Sequence, residues 1–471
     1  MISNIIQIFL MVGWFLIILI PLIIIHEFGH LLMARLTRTK VVEYGIGMPP
    51  RWLKKKWKGI IWSLNYLPLG GFVRIYGDHD ALDEASYRYK KSVPDAKENY
   101  INDRFSEILS NHELEFFLKE NNLEYSKEWQ ELENYFNSKT DKNSEDRYIN
   151  LIRQLKTLIE WEFETKLNSK EAFFNKKWWQ QFLILIGGVA FNLIAAFIIF
   201  WLLFSFGGVG DKNIPIEQIQ QLKNRPGITL EIKSESPRVA SVRENFPAAN
   251  IGMMPEDELV SFAGKNMSEI RSLEEFGSLV RENRDSEVEV VFRSNKTGEL
   301  ITTTTRMKED NGRVLFGIGT LYYEGTYKAD NLWSGAVFAL ETTNSYVFET
   351  FEVLGDIGRA LLPQTQDRSA LQMVIGPIGV SYFGIKIFDS AGIRGILELI
   401  AVVSISLAVF NILPLPALDG GRIIIAILNK VTGKRNKKLE GALITLTTFL
   451  LLWIGFHVAW QDIDRIIQMG G

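Results

Sequence analysis

Four long apolar runs constrain this chain more than any other feature. Residues Ile5 to Ile25, Phe182 to Phe206, Ile396 to Leu413 and Ala442 to Trp460 are almost free of charge, and a helix needs about 20 such residues to cross the hydrocarbon core of a bilayer. Helices and closed barrels alone satisfy every backbone polar group in lipid, so the runs predict four transmembrane helices. Trp453 and Trp460 stand where interfacial anchors belong. The first run lacks the basic leading segment and the small-residue cleavage pattern of a signal peptide. Composition agrees with this division: 47% of the residues are hydrophobic although 23% are charged, so the apolar residues are concentrated in part of the chain.

Flanking charge sets an orientation. Arg35, Arg38, Lys40, Arg51, Lys54, Lys55, Lys56 and Lys58 follow the first run, and Lys176 and Lys177 precede the second. Arg422, Lys430, Lys434, Arg435, Lys437 and Lys438 lie between the third and fourth. Loops rich in Lys and Arg stay in the cytoplasm. Both connections are therefore expected to be cytoplasmic, with the termini and the segment from Gly207 to about Gly395 extracytoplasmic in a cell (inner or cytoplasmic) membrane. A net charge of −3 leaves no basic surplus to neutralise a phosphate backbone, which excludes nucleic acid and leaves the lipid bilayer as the surrounding partner. Cysteine is absent, so any metal must be held by His, Asp or Glu.

The segments between the helices differ in character. Residues 1–77 hold the first helix and a stretch from Val41 to Tyr76 that predicts short strands and turns against the membrane face. Residues 78–175 are strongly charged with helical periodicity, Leu118, Trp129, Leu132, Tyr135, Tyr148 and Ile152 recurring among Glu and Lys, which predicts a solvated cytoplasmic helical insertion. Residues 176–210 carry the second helix. In 227–323, Glu287 to Phe292 and Leu300 to Thr305 flank an Asn295-Lys296-Thr297-Gly298 turn, a hairpin signal inside a small β domain. Over 331–395, Trp333, Phe338, Phe348 and Phe351 recur at helical spacing, which fits an amphipathic segment in the outer interface or a core helix packed on the β domain. Residues 396–471 hold the third and fourth helices. The expected fold is a polytopic α-helical membrane protein with four transmembrane helices, a small extracytoplasmic β-rich domain and a cytoplasmic helical insertion.

The chemistry concentrates at His26-Glu27-Phe28-Gly29-His30. Positions i and i+4 share a helix face, so two imidazoles converge on one ion while the intervening glutamate reaches a water that the metal acidifies. Ionisable groups inside an apolar helix are costly and usually mark function. A tetrahedral ion needs a third protein ligand. Asp419, at the cytoplasmic end of the third run, lies by the charge argument at the same depth as the two histidines; the competing reading is a helix-terminus Asp in a Gly turn. His457, in the fourth run, reads as an interfacial or packed histidine rather than a ligand.

On these residues the chain resembles the site-2 protease family, the RseP-type intramembrane zinc metalloproteases. His26 to His30 is similar to the family's zinc helix, Pro68-Leu69-Gly70-Gly71-Phe72-Val73 to its membrane-associated hairpin, Asn411 to Gly421 to its second zinc-binding segment, and Gly376-Pro377-Ile378-Gly379 to a signature ahead of the third helix. The resemblance implies Zn2+ as cofactor, Glu27 as base, and His26, His30 and Asp419 as ligands. Asn192, in Gly188-Val189-Ala190-Phe191-Asn192, stands where the family places an active-site asparagine, although Val189 replaces the usual proline. Asn411, Pro414 and Pro416 fall at family positions linked to substrate handling, interhelical hydrogen bonding being the alternative for the two asparagines. Phe246 to Leu259 and Leu315 to Gly319 resemble a PDZ domain in a single copy. The implied activity is regulated intramembrane proteolysis of membrane-protein substrates, single-pass proteins such as anti-sigma factors, or remnant signal peptides. A metal transporter would spread polar residues along several helices, and a catalytically silent PDZ adaptor would not need Glu27.

Overall fold

The computed structural model describes residues 2–78, 96–110, 113–121, 123–138, 145–207, 209–310, 313–360, 374–432 and 437–468. Lys434 and Arg435 of the last basic cluster, and 361–373 of the outer segment, lie outside the described residues. Among the described residues, four helices are long and apolar enough to cross a membrane, Gly13–Leu36, Trp178–Phe206, Ala391–Ile412 and Leu439–Ile466. The chain divides into two compact units: Leu19–Asn192 with Leu407–Gln461, and Met1–Ile18 with Leu193–Ser406 and Asp462–Gly471.

In the first of these units, helix α1 (Ile2–Leu36) continues without interruption through the His26 cluster, because Leu31, Leu32, Met33 and Ala34 are strong helix formers. The segment after it differs from the expected set of short strands. It is one long hairpin, β1 (Val41–Trp57) and β2 (Ile60–Ile75), turning at Lys58 and Gly59, both at positive φ. The hairpin folds over itself, so that Glu43 pairs with both Ile61 and Arg74. That fold is fastened from inside. Glu43 is fully buried and accepts from Arg51 Nε at 2.9 Å and Nη2 at 2.7 Å, and from Ser63 Oγ at 2.7 Å, so the buried carboxylate is paired. Tyr44 donates to the Ile24 carbonyl at 2.9 Å, fixing the hairpin to α1.

Among its described residues the charged stretch forms four α-helices, α2 (Ala96–Ser110), α3 (Leu114–Glu120), α4 (Lys127–Ser138) and α5 (Glu145–Leu167). Their apolar faces bury Leu118, Trp129, Leu132, Leu155, Ile159 and Phe163, and Tyr76 and Phe174 pack onto the same core. Helix α6 (Trp178–Leu202) follows. Between the third and fourth apolar runs stands a short amphipathic helix, where the sequence reading saw only a basic connection.

In the other unit, β3 (Val209–Pro215), β4 (Ile228–Ile232) and β5 (Arg238–Val239) all pair with a long strand, Leu321–Ala329, and β5 continues through β6 (Glu258–Phe262) to Glu287–Arg293 and Leu300–Arg306. The last two pair antiparallel from Glu287 with Arg306 to Arg293 with Leu300, across the Asn295 to Gly298 turn. Phe262, Phe276 and Phe316 meet edge to face in the core of this sheet. The helix Leu332–Ala360 packs one side inward. Phe338 packs on Phe204 and Tyr327, while Trp333, Leu340 and Phe348 are exposed. The helix carrying the third apolar run, Pro377–Ile412, breaks at Gly392, and Asp462 receives the backbone N–H groups of Gly376 at 3.2 Å and Gly379 at 2.8 Å at its start.

Candidate metal centre

All the residues at this centre belong to the unit of Leu19–Asn192 and Leu407–Gln461. Helix α1 brings His26 and His30 to one face with their Nε2 atoms 3.2 Å apart. Asp419 opens the amphipathic helix Asp419–Thr432, and its Oδ2 lies 3.0 Å from His26 Nε2 and 3.2 Å from His30 Nε2. Ligand atoms about 2.1 Å from a tetrahedral ion stand about 3.3 Å from one another. The triangle thus matches three corners of such a site and leaves the fourth for water or substrate.

Proton bookkeeping decides for a cation. His30 Nδ1 lies 2.8 Å from the Ile184 carbonyl; a carbonyl accepts, so Nδ1 carries the hydrogen and Nε2 of the neutral ring keeps its lone pair. That lone pair faces Asp419 Oδ2, another acceptor, which is buried and accepts no hydrogen bond of sound geometry among the described residues. Two acceptors at this distance repel unless a cation lies between them. His26 Nδ1 stands 3.3 Å from the Asn192 side-chain amide. An amide's O and N exchange by a half-turn, so Asn192 with its oxygen toward the ring accepts Nδ1–H and leaves His26 Nε2 for the ion.

Glycines set the closeness of the elements. A Cβ on Gly29 would lie 2.2 Å from the Gly187 carbonyl oxygen, and one on Gly188 would lie 2.5 Å from His30 Nε2 and 2.6 Å from His26 Nε2. Helix α6 therefore meets α1 backbone to backbone, as small residues permit in apolar helices. Paired glycines within an apolar run, costly in a helix interior, were the available signal. On the other side, a Cβ on Gly420 would strike the Ile412 carbonyl and one on Gly421 the Leu415 carbonyl, so these two glycines let the loop 413–418 close over the start of the helix.

A cavity of about 240 Å3 opens beside the ligands, lined in part by Glu27, Gly71, Phe72, Asn411 and Arg422. Gly71 lies against the Glu27 side chain, where a Cβ would come within 2.8 Å of Glu27 Cγ. Of the residues expected to support catalysis, Asn192 touches a ligand and Asn411 faces the cavity; Pro414 and Pro416 shape the loop and are not among its lining residues. His457 stacks on Trp453 with ring centroids 5.9 Å apart, and among the described residues the grouping able to hold a metal is His26, His30 and Asp419. Arg422, read in the sequence only as an orienting charge, is a cavity residue ion-paired with Asp78.

A protein-family model described as Peptidase family M50 matches residues 14–454. The chain belongs to peptidase family M50. Among similar M50 proteins, "Regulator of sigma-W protease RasP" of Bacillus subtilis (strain 168) is 26% identical over 466 residues, covering 96% of this chain and 98% of that one. "Probable protease eep" of Enterococcus faecalis is 26% identical over 458 residues with the same coverage. "Zinc metalloprotease RasP" of Bacillus licheniformis is 24% identical over 458 residues, again covering 96% and 98%.

Proposed function

We propose that this M50 peptidase is an intramembrane zinc metalloprotease in which His26, His30 and Asp419 hold the metal and Glu27 moves the proton. The observation that carries the reading is the meeting of two ring nitrogens and a buried carboxylate oxygen at 3.0 to 3.2 Å beside Glu27. Zinc bound there supplies a Lewis acid that acidifies water and polarises a carbonyl. Glu27 takes a proton from the attacking water and returns it to the departing amine nitrogen. Asn192 orients His26, Asn411 faces the bound chain, and Pro414 with Pro416 stiffens the loop before Asp419. A substrate helix must unwind locally before attack, because its amides are hydrogen-bonded and covered.

Membrane proteins with a single span are the substrate class we favour, anti-sigma factors or remnant signal peptides among them. The name of the Bacillus subtilis relative, regulator of sigma-W protease RasP, supports the first. Basic clusters after the first and third runs support an active site near the cytoplasmic face, with the 78–175 insertion on that side. The Phe246 to Leu259 and Leu315 to Gly319 motifs support a PDZ-like reading of 227–323, outside the cytoplasm, the fourth of the six divisions that follow the sequence boundaries given above. The test is a pair of variants. Glu27→Gln is expected to abolish cleavage of a transmembrane peptide with zinc still stoichiometric, and Asp419→Ala to lose zinc as well as activity. Turnover by Glu27→Gln, or full zinc in Asp419→Ala, overturns the assignment.

A further inference from the structure

Arg422 is the guanidinium that remains to be explained. It follows Asp419 by three residues in the same helix, so the two side chains share a face, and it lines the cavity that holds Glu27 and the ligand set. Among the described residues, no other Arg or Lys lines that cavity. Burial works against its charge, but Asp78 and Asp419 keep it protonated. Asp78 sits just past the end of β2 and pairs with Arg422 Nη2. A guanidinium carries five N–H donors in a rigid fork, more than one carboxylate can take. The side chain is only partly buried, 28% exposed, so donors that Asp78 does not take are open to the cavity, and what this cavity must accommodate in peptide hydrolysis is an oxygen that gains negative charge.

We infer that Arg422 is a catalytic residue that donates hydrogen bonds to the oxygen of the scissile carbonyl as it becomes an oxyanion, with Asp78 as its positioning residue. The inference rests on the peptidase reading above. In the step, water oxygen bonds to the carbonyl carbon, the C=O π pair moves onto oxygen facing Arg422, and Glu27 receives the water proton. On collapse the C=O re-forms, the C–N bond breaks with its electron pair on nitrogen, and Glu27 gives that nitrogen the proton. Arg422 stays protonated throughout.

The experiment compares zinc-loaded wild type, Arg422→Gln, Arg422→Lys and Asp78→Asn in detergent. It measures zinc per chain, kcat and KM on a fluorogenic transmembrane peptide, affinity for a phosphinic pseudopeptide with a tetrahedral centre, and, in a Glu27→Gln background, affinity for the intact amide peptide. Arg422→Gln is expected to lose on the order of 10²-fold in kcat, the usual effect of removing one oxyanion donor. Phosphinate affinity should fall by a similar factor while KM, amide-peptide affinity and zinc content hold. Arg422→Lys should fall between, and Asp78→Asn should lose less than Arg422→Gln in the same two quantities. Wild-type-like kcat and phosphinate affinity in Arg422→Gln overturn the role, as does zinc loss in both Arg422 variants, which marks a scaffold residue. Where Arg422→Gln does not fold, the same two quantities in zinc-loaded Arg422→Lys decide. Wild type that cleaves while Arg422→Gln matches it sinks this role alone; wild type that cleaves nothing sinks the peptidase reading beneath it.

Discussion

Gly188→Ala adds one methyl group at the point where α6 meets the ligands. That methyl would lie 2.5 Å from both His26 Cε1 and His30 Nε2 and 2.6 Å from His26 Nε2. Ordinary contact begins near 3.4 Å, so both rings must yield by about 0.9 Å, against the ~0.2 Å tolerance of metal–ligand distances. Retreat is blocked on each side. His30 is tied to the Ile184 carbonyl at 2.8 Å, and α6 cannot back away without breaking the contact at Gly29 and Gly187 that sets the helix spacing. Zinc affinity is expected to fall by at least the roughly 10- to 100-fold seen when a ligand's supporting partner is lost, and turnover with it. Competition against a chromophoric chelator in detergent measures this. Gly455→Ala serves as the control, since its methyl would meet nothing within 4 Å. Wild-type zinc affinity in a folded Gly188→Ala protein would refute the argument that main chain alone limits the room around the ligands.

Two further outcomes test the hairpin and the orientation. Burial pushes the Glu43 carboxyl up, but hydrogen bonds from Arg51 and Ser63 outweigh it and hold it below its ordinary value of 4.5. A depressed folded pKa contributes stability above the unfolded value that is lost as pH falls through the folded one. Glu43→Gln should therefore lower stability by on the order of 2 kcal/mol at neutral pH, with the gap closing as unfolding is followed below pH 4.5; a constant gap down to pH 3 contradicts it. Single cysteines at Lys56, Lys437 and Gly298, placed in a chain that has none, should react from the cytoplasm at the first two and from outside at the third, and labelling of Gly298→Cys from the cytoplasm alone reverses the orientation.

The convergence of His26, His30 and Asp419 was legible because helical periodicity fixes i and i+4 on one face and because charge clusters put both segments at one depth. The strand pair around Asn295 to Gly298 was legible because alternating β-branched residues flank a turn. Other features are tertiary and leave weaker traces. Gly420 and Gly421 read as a turn, but they allow a loop to pack on the first turn of a helix, so Asp419 is a helix-opening residue where a run-ending one was expected. The segment after α1 reads as several short strands, since the contacts of Glu43 with Ser63 and Arg74 that fold one hairpin over itself join residues far apart in sequence. Arg422 counted only toward orientation, because no periodicity distinguishes a lysine or arginine facing water from one facing a cavity.

His30 and Asp419 stand near opposite ends of a chain without cysteine. An ion held by both is a removable crosslink that closes a loop of most of the sequence. Loop-closure entropy grows slowly, about 0.6 kcal/mol per doubling, so a loop of this length lies toward the upper end of what a single crosslink contributes, about 5 kcal/mol for a covalent one. Protein starved of zinc would therefore lose the tie between its first helix and the helix Asp419–Thr432 and be exposed to proteolysis, and zinc supply would set how long the enzyme survives in the membrane as well as how fast it works.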